Sequence, residues 1–391
     1  MTRPLVLIVF GTRPEAIKMG PVVKALQALP ELQVKICVTG QHREMLDQVL
    51  DIFAITADDD LHIMENDQSL VALTARMLLK MQAVIEERRP ALILVHGDTT
   101  TSMVASLASY YAGIPVGHVE AGLRTGNKLQ PFPEEVNRRL TAVLADLHFA
   151  PTEQARNNLL REGIAEQRIK VTGNTVIDAL YAMVRRIDGD LALKAALRSR
   201  FAMVDNYDKL VLITGHRREN FGQGFENICR AIVRLADDHP EVVFIYPVHL
   251  NPHVRRPVEM IVGAEARRNI FLIEPVDYVS FVALLRRCYL VLTDSGGIQE
   301  EAPALGKPVV VMRATTERPE AVLAGTVELA GSDEEQIVCS VSRLLADRVR
   351  YQRMSRVSTA YGDGQAAIRI ATHISEFLQC HEACSCDQRR G

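Results

Sequence analysis

The strongest constraint on the fold is a series of short apolar runs, each followed by a stretch with helical periodicity. The runs are residues 4–10, 34–40, 91–98, 114–122, 147–152 and 169–174 in the first half, and 209–216, 242–249, 269–276, 289–297 and 308–314 in the second. They are apolar on successive residues, which is typical of strands buried on both faces of a parallel sheet. The sequence therefore predicts an α/β chain with right-handed crossovers.

The stretches between these runs place apolar residues on one side of a helix. The helical faces are Leu70, Leu73, Met77, Met81 and Val84 in one stretch, and Val136, Leu140, Val143 and Leu144 in another. Strand–helix alternation is interrupted once, between about residues 176 and 208, by a charge-rich helical segment. We interpret this segment as the hinge between two Rossmann-like domains, because 391 residues suffice for two domains of ordinary size.

The expected domains are residues 1–176 and 177–363. The segment 366–378 is amphipathic and predicts a final helix, about 364–379, that packs back on the N-terminal domain. Residues 380–391 are expected to form a tail that is separate from the fold.

Composition excludes several classes of partner. The net charge is −3, so no general attraction to nucleic acid or to anionic membranes is expected, and any anion site must be local. The apolar run near the N-terminus is too short for a signal peptide or a membrane span. We therefore expect a cytoplasmic protein.

Cysteine usage indicates neither a disulfide framework nor a metal site. Cys37, Cys229, Cys288 and Cys339 lie in apolar segments and are expected to be buried thiols. The tail holds Cys380, His381, Cys384 and Cys386, whose spacing matches no zinc pattern well.

Polar clusters follow nearly every apolar run. They read GTRPE, TGQHRE, HGDTTT, EAGLRT and GNT in the first half, and TGHRRE, PVHLNP, DSGG and RATTERPE in the second. Ligands of parallel sheets bind at the carboxyl ends of the strands. Ordinary polar loops would explain one such cluster, but so many clusters rich in Arg, His, Asp and Glu predict a single ligand-binding cleft between the two domains.

The stretch TDSGGIQEEA, residues 293–302, predicts a phosphate site. A strand ends there and a helix begins, so the amides of Ser295, Gly296 and Gly297 are expected to point out of a helix N-terminus towards an anion. Arg13 and Arg318 could add charge-assisted hydrogen bonds. There is no Walker A motif and no intact G-x-G-x-x-G, so neither ATP nor a nicotinamide cofactor is indicated.

A plainer interpretation of the same stretch is a helix cap made by Asp294 or Ser295. Glu301 is well placed to accept hydrogen bonds from a ribose diol, and its alternative is a solvated charge on the helix surface. Glu15, beside Arg13, is expected to hold its own loop or to pair with a neighbouring cation.

The acid–base candidates are Asp98, Glu120, Glu134 and His216. Asp98 and Glu120 follow neighbouring predicted strands, and His216 ends the first strand of the second half. Glu134 begins a helix, where the helix dipole also favours a carboxylate. His96, His118 and His249 lie near strand ends as well, and for these we favour structural roles. The spacing of these groups indicates no metal site.

At this point the motifs resemble those of a known family. The resemblance is carried by FGTRPEAIKM, VHGDTTT, GHVEAGLRT, PEEVNRRL, GNTVIDAL, TGHRRE, TDSGGIQEEAPALGKPV and RATTERPEA, between about residues 4 and 378. The sequence is similar to the bacterial non-hydrolysing UDP-N-acetylglucosamine 2-epimerases. That resemblance implies an α/β fold of two Rossmann-like parallel-sheet domains facing across a cleft, of glycosyltransferase-B type, and a homodimer without cofactor or metal.

The resemblance also implies the roles of individual residues. By matching motifs, Asp98, Glu120, Glu134 and His216 correspond to residues implicated in catalysis. The nucleotide-sugar contacts correspond to Arg13, Lys18, Val276, Phe281, Ser295, Gly296, Gly297, Glu301 and Arg318. Gln41, His42 and Arg43 match a loop that binds a second, activating UDP-N-acetylglucosamine in some members, but Glu44 stands where activated members have glutamine.

The implied reaction interconverts UDP-N-acetylglucosamine and UDP-N-acetylmannosamine by eliminating and re-adding UDP through 2-acetamidoglucal, for cell-surface polysaccharide synthesis. Three alternatives remain open at this stage. They are a hydrolysing epimerase that releases N-acetylmannosamine, a UDP-sugar glycosyltransferase and a non-catalytic UDP-sugar sensor. UDP-sugars with an additional substituent are also open.

Overall fold

The apolar runs form the strands of two parallel sheets in a computed structural model of the chain. The structure describes residues 3–40, 43–64 and 68–387. The chain divides into two compact units, Met1–Ala179 with Tyr361–Gly391 and Leu180–Ala360. The boundary between the units falls inside one helix, α7 (Thr175–Gly189).

The first unit contains a seven-stranded sheet in the order β3-β2-β1-β4-β5-β6-β7. Its strands are β1 (Leu5–Phe10), β2 (Gln33–Val38), β3 (Asp59–Asp60), β4 (Leu92–His96), β5 (Val116–Val119), β6 (Leu147–Ala150) and β7 (Ile169–Val171). Its helices before α7 are α1 (Arg13–Gln27), α2 (Arg43–Ile52), α3 (Leu70–Arg88), α4 (Thr100–Tyr111), α5 (Glu134–Leu144) and α6 (Glu153–Arg161).

The second unit contains a six-stranded sheet in the order β10-β9-β8-β11-β12-β13. Its strands are β8 (Lys209–Thr214), β9 (Val242–Pro247), β10 (Ile270–Ile273), β11 (Leu290–Thr293), β12 (Val309–Val311) and β13 (Val327–Leu329). Its helices are α8 (Leu191–Arg200), α9 (Gln223–Asp238), α10 (Pro252–Pro257), α11 (Tyr278–Arg287), α12 (Ile298–Ala304), α13 (Pro319–Leu323), α14 (Glu334–Ala346) and α15 (Arg348–Met354).

Both strand orders are those of doubly wound Rossmann sheets. Every strand pair is parallel, and the central strands are buried, as the continuous apolar runs predict. The strands are shorter than the runs, because the polar residues at the end of each run turn away from the sheet. The two edge strands β3 and β13 were not predicted, since their residues, Asp59–Asp60 and Val327–Leu329, form no continuous apolar run.

The last helix, α16 (Ala366–Asp387), belongs to the first unit and packs against α1. The buried carboxylate of Asp178 accepts hydrogen bonds from the amides of Ala366 and Ala367 at 3.2 and 2.9 Å. These amides are among those that a helix leaves unpaired at its N-terminus. A side chain of α7 thus fixes the start of the final helix.

One expectation about burial is wrong. Cys339 is exposed rather than buried, because Ile337, Val338 and Val341 occupy the side of α14 that faces the core. The helical face of Val136, Leu140 and Val143 on α5 is also exposed, although it is apolar. Within residues 3–40, 43–64 and 68–387, no helix is both long enough and apolar enough to cross a bilayer.

Candidate active site

Each sheet has a switch point, where the strand order reverses and where open parallel sheets bind ligands. In the first unit it lies between β1 and β4, and in the second between β8 and β11. The motifs GTRPE, HGDTTT, TGHRRE and DSGG lie at the ends of these four strands, and EAGLRT follows β5, the neighbour of β4.

The loop after β1 is held by Glu15, as the sequence predicts. Thr12 and Glu15 form a capping box at the start of α1, and Glu15 Oε2 accepts the amides of Gly11 and Thr12 at 3.0 and 2.8 Å. The other carboxylate oxygen accepts the hydroxyl of Thr99 at 2.7 Å, and burial raises the pKa of Glu15. Glu15 is therefore occupied in tying the loops after β1 and β4 together.

Glu120 follows β5 and is the centre of a buried polar cluster. It is almost fully buried, it forms an ion pair with Lys18, and it accepts a hydrogen bond from Asn174 Nδ2 at 2.9 Å. The Nε2 atom of His96 lies 3.7 Å from the same carboxylate oxygen. The backbone of Glu120 has φ 62°, a left-handed conformation that residues with a side chain rarely adopt and that is often found at functional sites.

Asp98 follows β4, which is hydrogen-bonded to β5, so the two candidate carboxylates end neighbouring strands as predicted. The Asp98 side chain forms an ion pair with Arg138, and its carbonyl accepts Asn137 Nδ2 at 3.0 Å. Both partners lie on α5. Helix α5 thus orients Asp98 from one side, and Lys18 on α1 orients Glu120.

The first two residues of α5 have different environments. Glu135 is fully buried, accepts the amides of Thr125 and Gly126 at 3.1 Å each, and contacts Arg138 at 3.2 Å. Glu134 has a buried carboxylate oxygen that has no hydrogen-bond partner among the described residues. A buried acceptor without a partner is rare and costly, so Glu134 has an acceptor position left open for a ligand.

In the second unit, Asp294 organises the switch point. Its side chain is completely buried and accepts the amides of His216, at 2.9 Å, and of Arg217, at 2.8 Å. The alternative that Asp294 caps the following helix is therefore wrong, since its carboxylate binds the loop after β8 instead. The His216 ring is partly exposed and stacks on His249 with a centroid distance of 5.3 Å. Burial lowers the pKa of His216, which favours the neutral imidazole.

The glycine-rich turn after β11 differs in one respect from the prediction. The Ser295 amide does not point outward, because it donates to Thr293 Oγ1 at 2.9 Å. In the described part of the chain, the amides of Gly296 and Gly297 donate to no other group. A Cβ atom at Gly296 would lie 2.6 Å from Arg318 Nη1, so only glycine permits this approach of the guanidinium.

Arg318 lies against the turn but already has anionic partners. It is buried and pairs with Glu300, at 2.5 Å, and with Glu317, at 2.6 Å. Burial alone would raise the pKa of Glu317, but Arg318 and Arg313 hold it down at about 2. Two carboxylates therefore neutralise the Arg318 charge locally.

The remaining predicted contacts in the second unit lie around α11. Glu301 is buried and accepts the Tyr278 hydroxyl at 2.6 Å, so the alternative of a solvated surface charge is wrong. Val276 is buried just before α11, and Phe281 lies half-buried on its first turns.

Other expectations concern parts of the chain that the structure does not describe. Gln41 and His42 lie outside the described residues, and Arg43 begins α2 with a side chain that is not described. The same holds for the side chains of Cys384 and Cys386. Among the described residues, no three His, Cys, Asp or Glu side chains gather closely enough to hold a metal ion.

Sequence reasoning missed the residues that hold the candidates in place. Asn174 and Arg138 occur in the motifs GNTVIDAL and PEEVNRRL, and Glu300 adjoins Glu301, but no role was assigned to them. Their importance lies in contacts between residues far apart in sequence, such as the pair of Arg138 with Asp98. The only signal in the sequence was that these polar residues stand inside the motifs that carry the family resemblance.

A row of buried histidines crosses the first sheet beside Glu120. His96, His118 and His148 lie on β4, β5 and β6, and His118 is directly opposite His148. The Nε2 atom of His118 is 2.7 Å from the Gly97 carbonyl oxygen. Burial lowers the pKa of His96 and His148 to about 4, and that of His118 to about 3. All three are therefore neutral at pH 7, consistent with the structural roles expected for His96 and His118.

These pKa values predict acid-sensitive stability. In the unfolded chain a histidine titrates near 6.5, so between about pH 6.5 and 4 the unfolded state binds up to three more protons than the folded state. The free energy of unfolding should therefore fall as pH decreases, by up to about 4 kcal/mol per pH unit. Urea unfolding measured from pH 7.5 to pH 5 checks this.

A substitution in the row of buried histidines tests whether these side chains cause the pH dependence of stability. His148→Leu should reduce the pH dependence by about one proton, because it removes one of the three buried histidines. Equal slopes for the wild type and His148→Leu would contradict the assignment.

Comparison with known proteins places the chain in a family. Residues 24–375 match the family model described as UDP-N-acetylglucosamine 2-epimerase. A UDP-N-acetylglucosamine 2-epimerase of Escherichia coli K12 is 55% identical over 93% of this chain and 96% of its own, and one of Yersinia pestis is 57% identical with the same coverage.

A solved structure extends the similarity to three dimensions. The crystal structure of UDP-GlcNAc 2-epimerase from Neisseria meningitidis bound to UDP-GlcNAc superposes with a TM-score of 0.91 at 50% identity. It covers 95% of this chain and 100% of that one. The motifs, the two Rossmann sheets and these similarities lead to one conclusion: the chain belongs to the UDP-N-acetylglucosamine 2-epimerase family.

Proposed function

We propose that this chain is a non-hydrolysing UDP-N-acetylglucosamine 2-epimerase, an isomerase that interconverts UDP-N-acetylglucosamine and UDP-N-acetylmannosamine for polysaccharide synthesis. The observation that carries the proposal is the placement of Asp98 and Glu120. They end hydrogen-bonded neighbouring strands, and each is oriented by its own cation, Arg138 or Lys18. Such an arrangement suits proton transfer at one carbon atom, and relatives at 55–57% identity carry this activity in their names.

The chemistry explains why a leaving-group site must accompany the carboxylates. The hydrogen on C2 of the sugar is not acidic, because no carbonyl group is adjacent to it. If the C1–O bond breaks first, UDP leaves with the bonding electrons and C1 becomes electron-poor. A base then removes the C2 proton, and the electrons of the C2–H bond form the C1=C2 double bond of 2-acetamidoglucal. Protonation of C2 on the opposite face and return of UDP to C1 complete the epimerisation.

The first unit supplies the acid–base groups in this proposal. Asp98, Glu120 and Glu134 are the three carboxylates, and protonation from both faces of C2 requires more than one of them. Glu134 has an unpaired buried oxygen, so it can bind the substrate without first giving up a protein partner. Lys18 and Asn174 hold Glu120 in place, which reduces the reorganisation needed during the reaction.

The second unit supplies the nucleotide site. The amides of Gly296 and Gly297 and the ring of His216 are placed around the switch point, where they can stabilise the charge of departing UDP. Arg13 is proposed to contact the diphosphate from the start of α1. Val276, Phe281 and Glu301 hold the uridine, with Glu301 positioned by the hydroxyl of Tyr278. The reaction is redox-neutral, because the proton removed from C2 is replaced and UDP returns to C1, so it needs no redox cofactor.

A cytoplasmic location is part of the proposal. Residues Leu5–Phe10, the apolar run near the N-terminus, form the buried strand β1 between β2 and β4 and so serve the fold rather than export. Cell fractionation checks this expectation.

Incubation in D₂O tests the reaction directly. With UDP-N-acetylglucosamine alone, proton NMR should show UDP-N-acetylmannosamine appearing, and both sugar nucleotides should lose the C2 proton signal as deuterium replaces it. Release of free N-acetylmannosamine would indicate a hydrolysing enzyme instead. Full retention of the C2 proton, or binding without turnover, would contradict the mechanism.

Substitution of the carboxylates tests their roles. Asp98→Asn and Glu120→Gln should each reduce kcat by roughly 10²-fold or more, the usual scale for acid–base groups, while UDP affinity is largely kept. Asp333→Asn, which changes an exposed helix cap of the second unit, is the control and should retain full turnover. A variant of Asp98 or Glu120 with the rate of the control would remove that residue from the chemistry.

We also propose a homodimer, in which a second copy covers the exposed face of α5. Val136, Leu140 and Val143 form an apolar stripe there, and the exposed rings of Tyr110 and Tyr111 end the adjacent helix α4. Contiguous apolar surface of this kind is typical of protein interfaces.

Charge placed on this face should separate the subunits. The double variant Leu140→Glu with Val143→Glu should be monomeric in analytical ultracentrifugation, whereas Val349→Glu, at an exposed position on α15, should sediment like the wild type. A dimer of unchanged stability in the double variant would show that the subunits meet elsewhere.

A further inference from the structure

A cavity of about 460 Å³ lies within the second unit, away from its switch point. It is open to solvent on one side and is lined by the end of α7, by α8 and the turn that follows it, and by the last turns of α11. Its volume falls within the range of about 300–1,000 Å³ that is typical of small-molecule sites. None of the residues assigned to the UDP-sugar lines it.

The floor of the cavity is apolar. Ile187 of α7, Leu197 of α8, Ala283 of α11 and Phe201 in the turn after α8 are all buried and line it. An aromatic or aliphatic group that enters the cavity would contact these side chains and leave water, which is favourable in proportion to the apolar area covered.

The rim of the cavity is cationic. Four cations line it: Lys194, Arg198, Arg286 and Arg287. Two carboxylates face them, since Asp188 contacts Arg286 at 2.9 Å and Lys194 at 3.9 Å, while Asp205 pairs with Arg287 and lies 3.9 Å from Arg198.

The charges of this rim do not balance. Four cations against two carboxylates leave a local excess of positive charge in a chain whose net charge is −3. Among the described residues, the carboxylates nearest to Lys194 and Arg198 are Asp188 and Asp205, each at the long distance of 3.9 Å, and both cationic side chains are largely exposed. They can therefore turn towards an anion without breaking a close ion pair.

From the apolar floor and the cationic rim we infer that this cavity is a second small-molecule site. Its ligand is an organic anion, that is, an aromatic or aliphatic body bearing one phosphate, sulfonate or carboxylate group. The body fills the space above Phe201, and the anionic group binds Lys194 and Arg198 at the rim. Charge-assisted hydrogen bonds of this type are stronger than neutral ones and fix the orientation of the ligand.

The probe for this site is 1-naphthyl phosphate, which has a rigid aromatic body and one phosphate group. Calorimetric titration of the full-length protein would be made in the presence of saturating UDP, so that the proposed nucleotide site is already occupied. We expect 1-naphthyl phosphate to bind at least about tenfold more tightly than 1-naphthol or inorganic phosphate alone, because only the whole molecule meets both floor and rim. Equal affinities for the probe and for either fragment would overturn the inference.

Substitutions at the rim test whether 1-naphthyl phosphate binds in this cavity. Lys194→Gln with Arg198→Gln should weaken its binding by about five- to tenfold, and both side chains are exposed, so the fold should be kept. The matched control, Arg343→Gln with Arg353→Gln, removes the same charge from exposed positions on α14 and α15 and should bind like the wild type. Equal weakening of probe binding in both double variants would show that only the net charge of the protein matters. This result would overturn the inference of a site in this cavity.

The result is separable from the proposed function. If UDP itself fails to bind, the proposed epimerase activity is contradicted, while the comparison of the two double variants still decides the cavity. If saturating UDP abolishes binding of the probe, the probe occupies the nucleotide site and the inference fails.

Discussion

The ion pair between Lys18 and Glu120 is the interaction on which the candidate site of the first unit depends. Both groups are nearly buried, and the pair connects the first helix to the residue that ends β5. Removing one partner of a buried pair leaves the other charge uncompensated, at a cost of roughly 3–5 kcal/mol. Because Asn174 binds the same carboxylate, three distant segments of the chain meet at Glu120.

In the second unit, backbone amides bind the buried carboxylate at the switch point. Asp294 is fully buried and its charge is met by the amides of His216 and Arg217 rather than by a cation. This holds the loop after β8 against the end of β11, so that His216 and the two glycines lie at the same edge of the sheet. In each unit, a buried carboxylate holds together loops that follow separate strands. The polar groups of these loops that the carboxylate does not bind are available for a ligand.

Much of the fold could be predicted because its signals are local. Continuous apolar runs indicate buried parallel strands, and the structure confirms them. The Ser295 amide was misjudged because its partner, Thr293 Oγ1, depends on a side-chain rotamer rather than on a sequence pattern. The pairing of Arg318 with Glu300 was missed for a related reason: the two residues lie 18 positions apart in sequence, and only folding brings them close.

The sequence by itself determined the α/β class, the position of polar motifs at strand ends and the family resemblance, since each depends on residue types at fixed spacing. The tertiary structure decided which charges are compensated and which surfaces are exposed. Arg318 is neutralised by Glu300 and Glu317, Glu134 keeps a carboxylate oxygen that no described residue binds, and the apolar face of α5 is exposed. The physical reason is that burial and Coulomb interactions depend on distances in space, which residues far apart in the chain acquire only when the sheets are assembled.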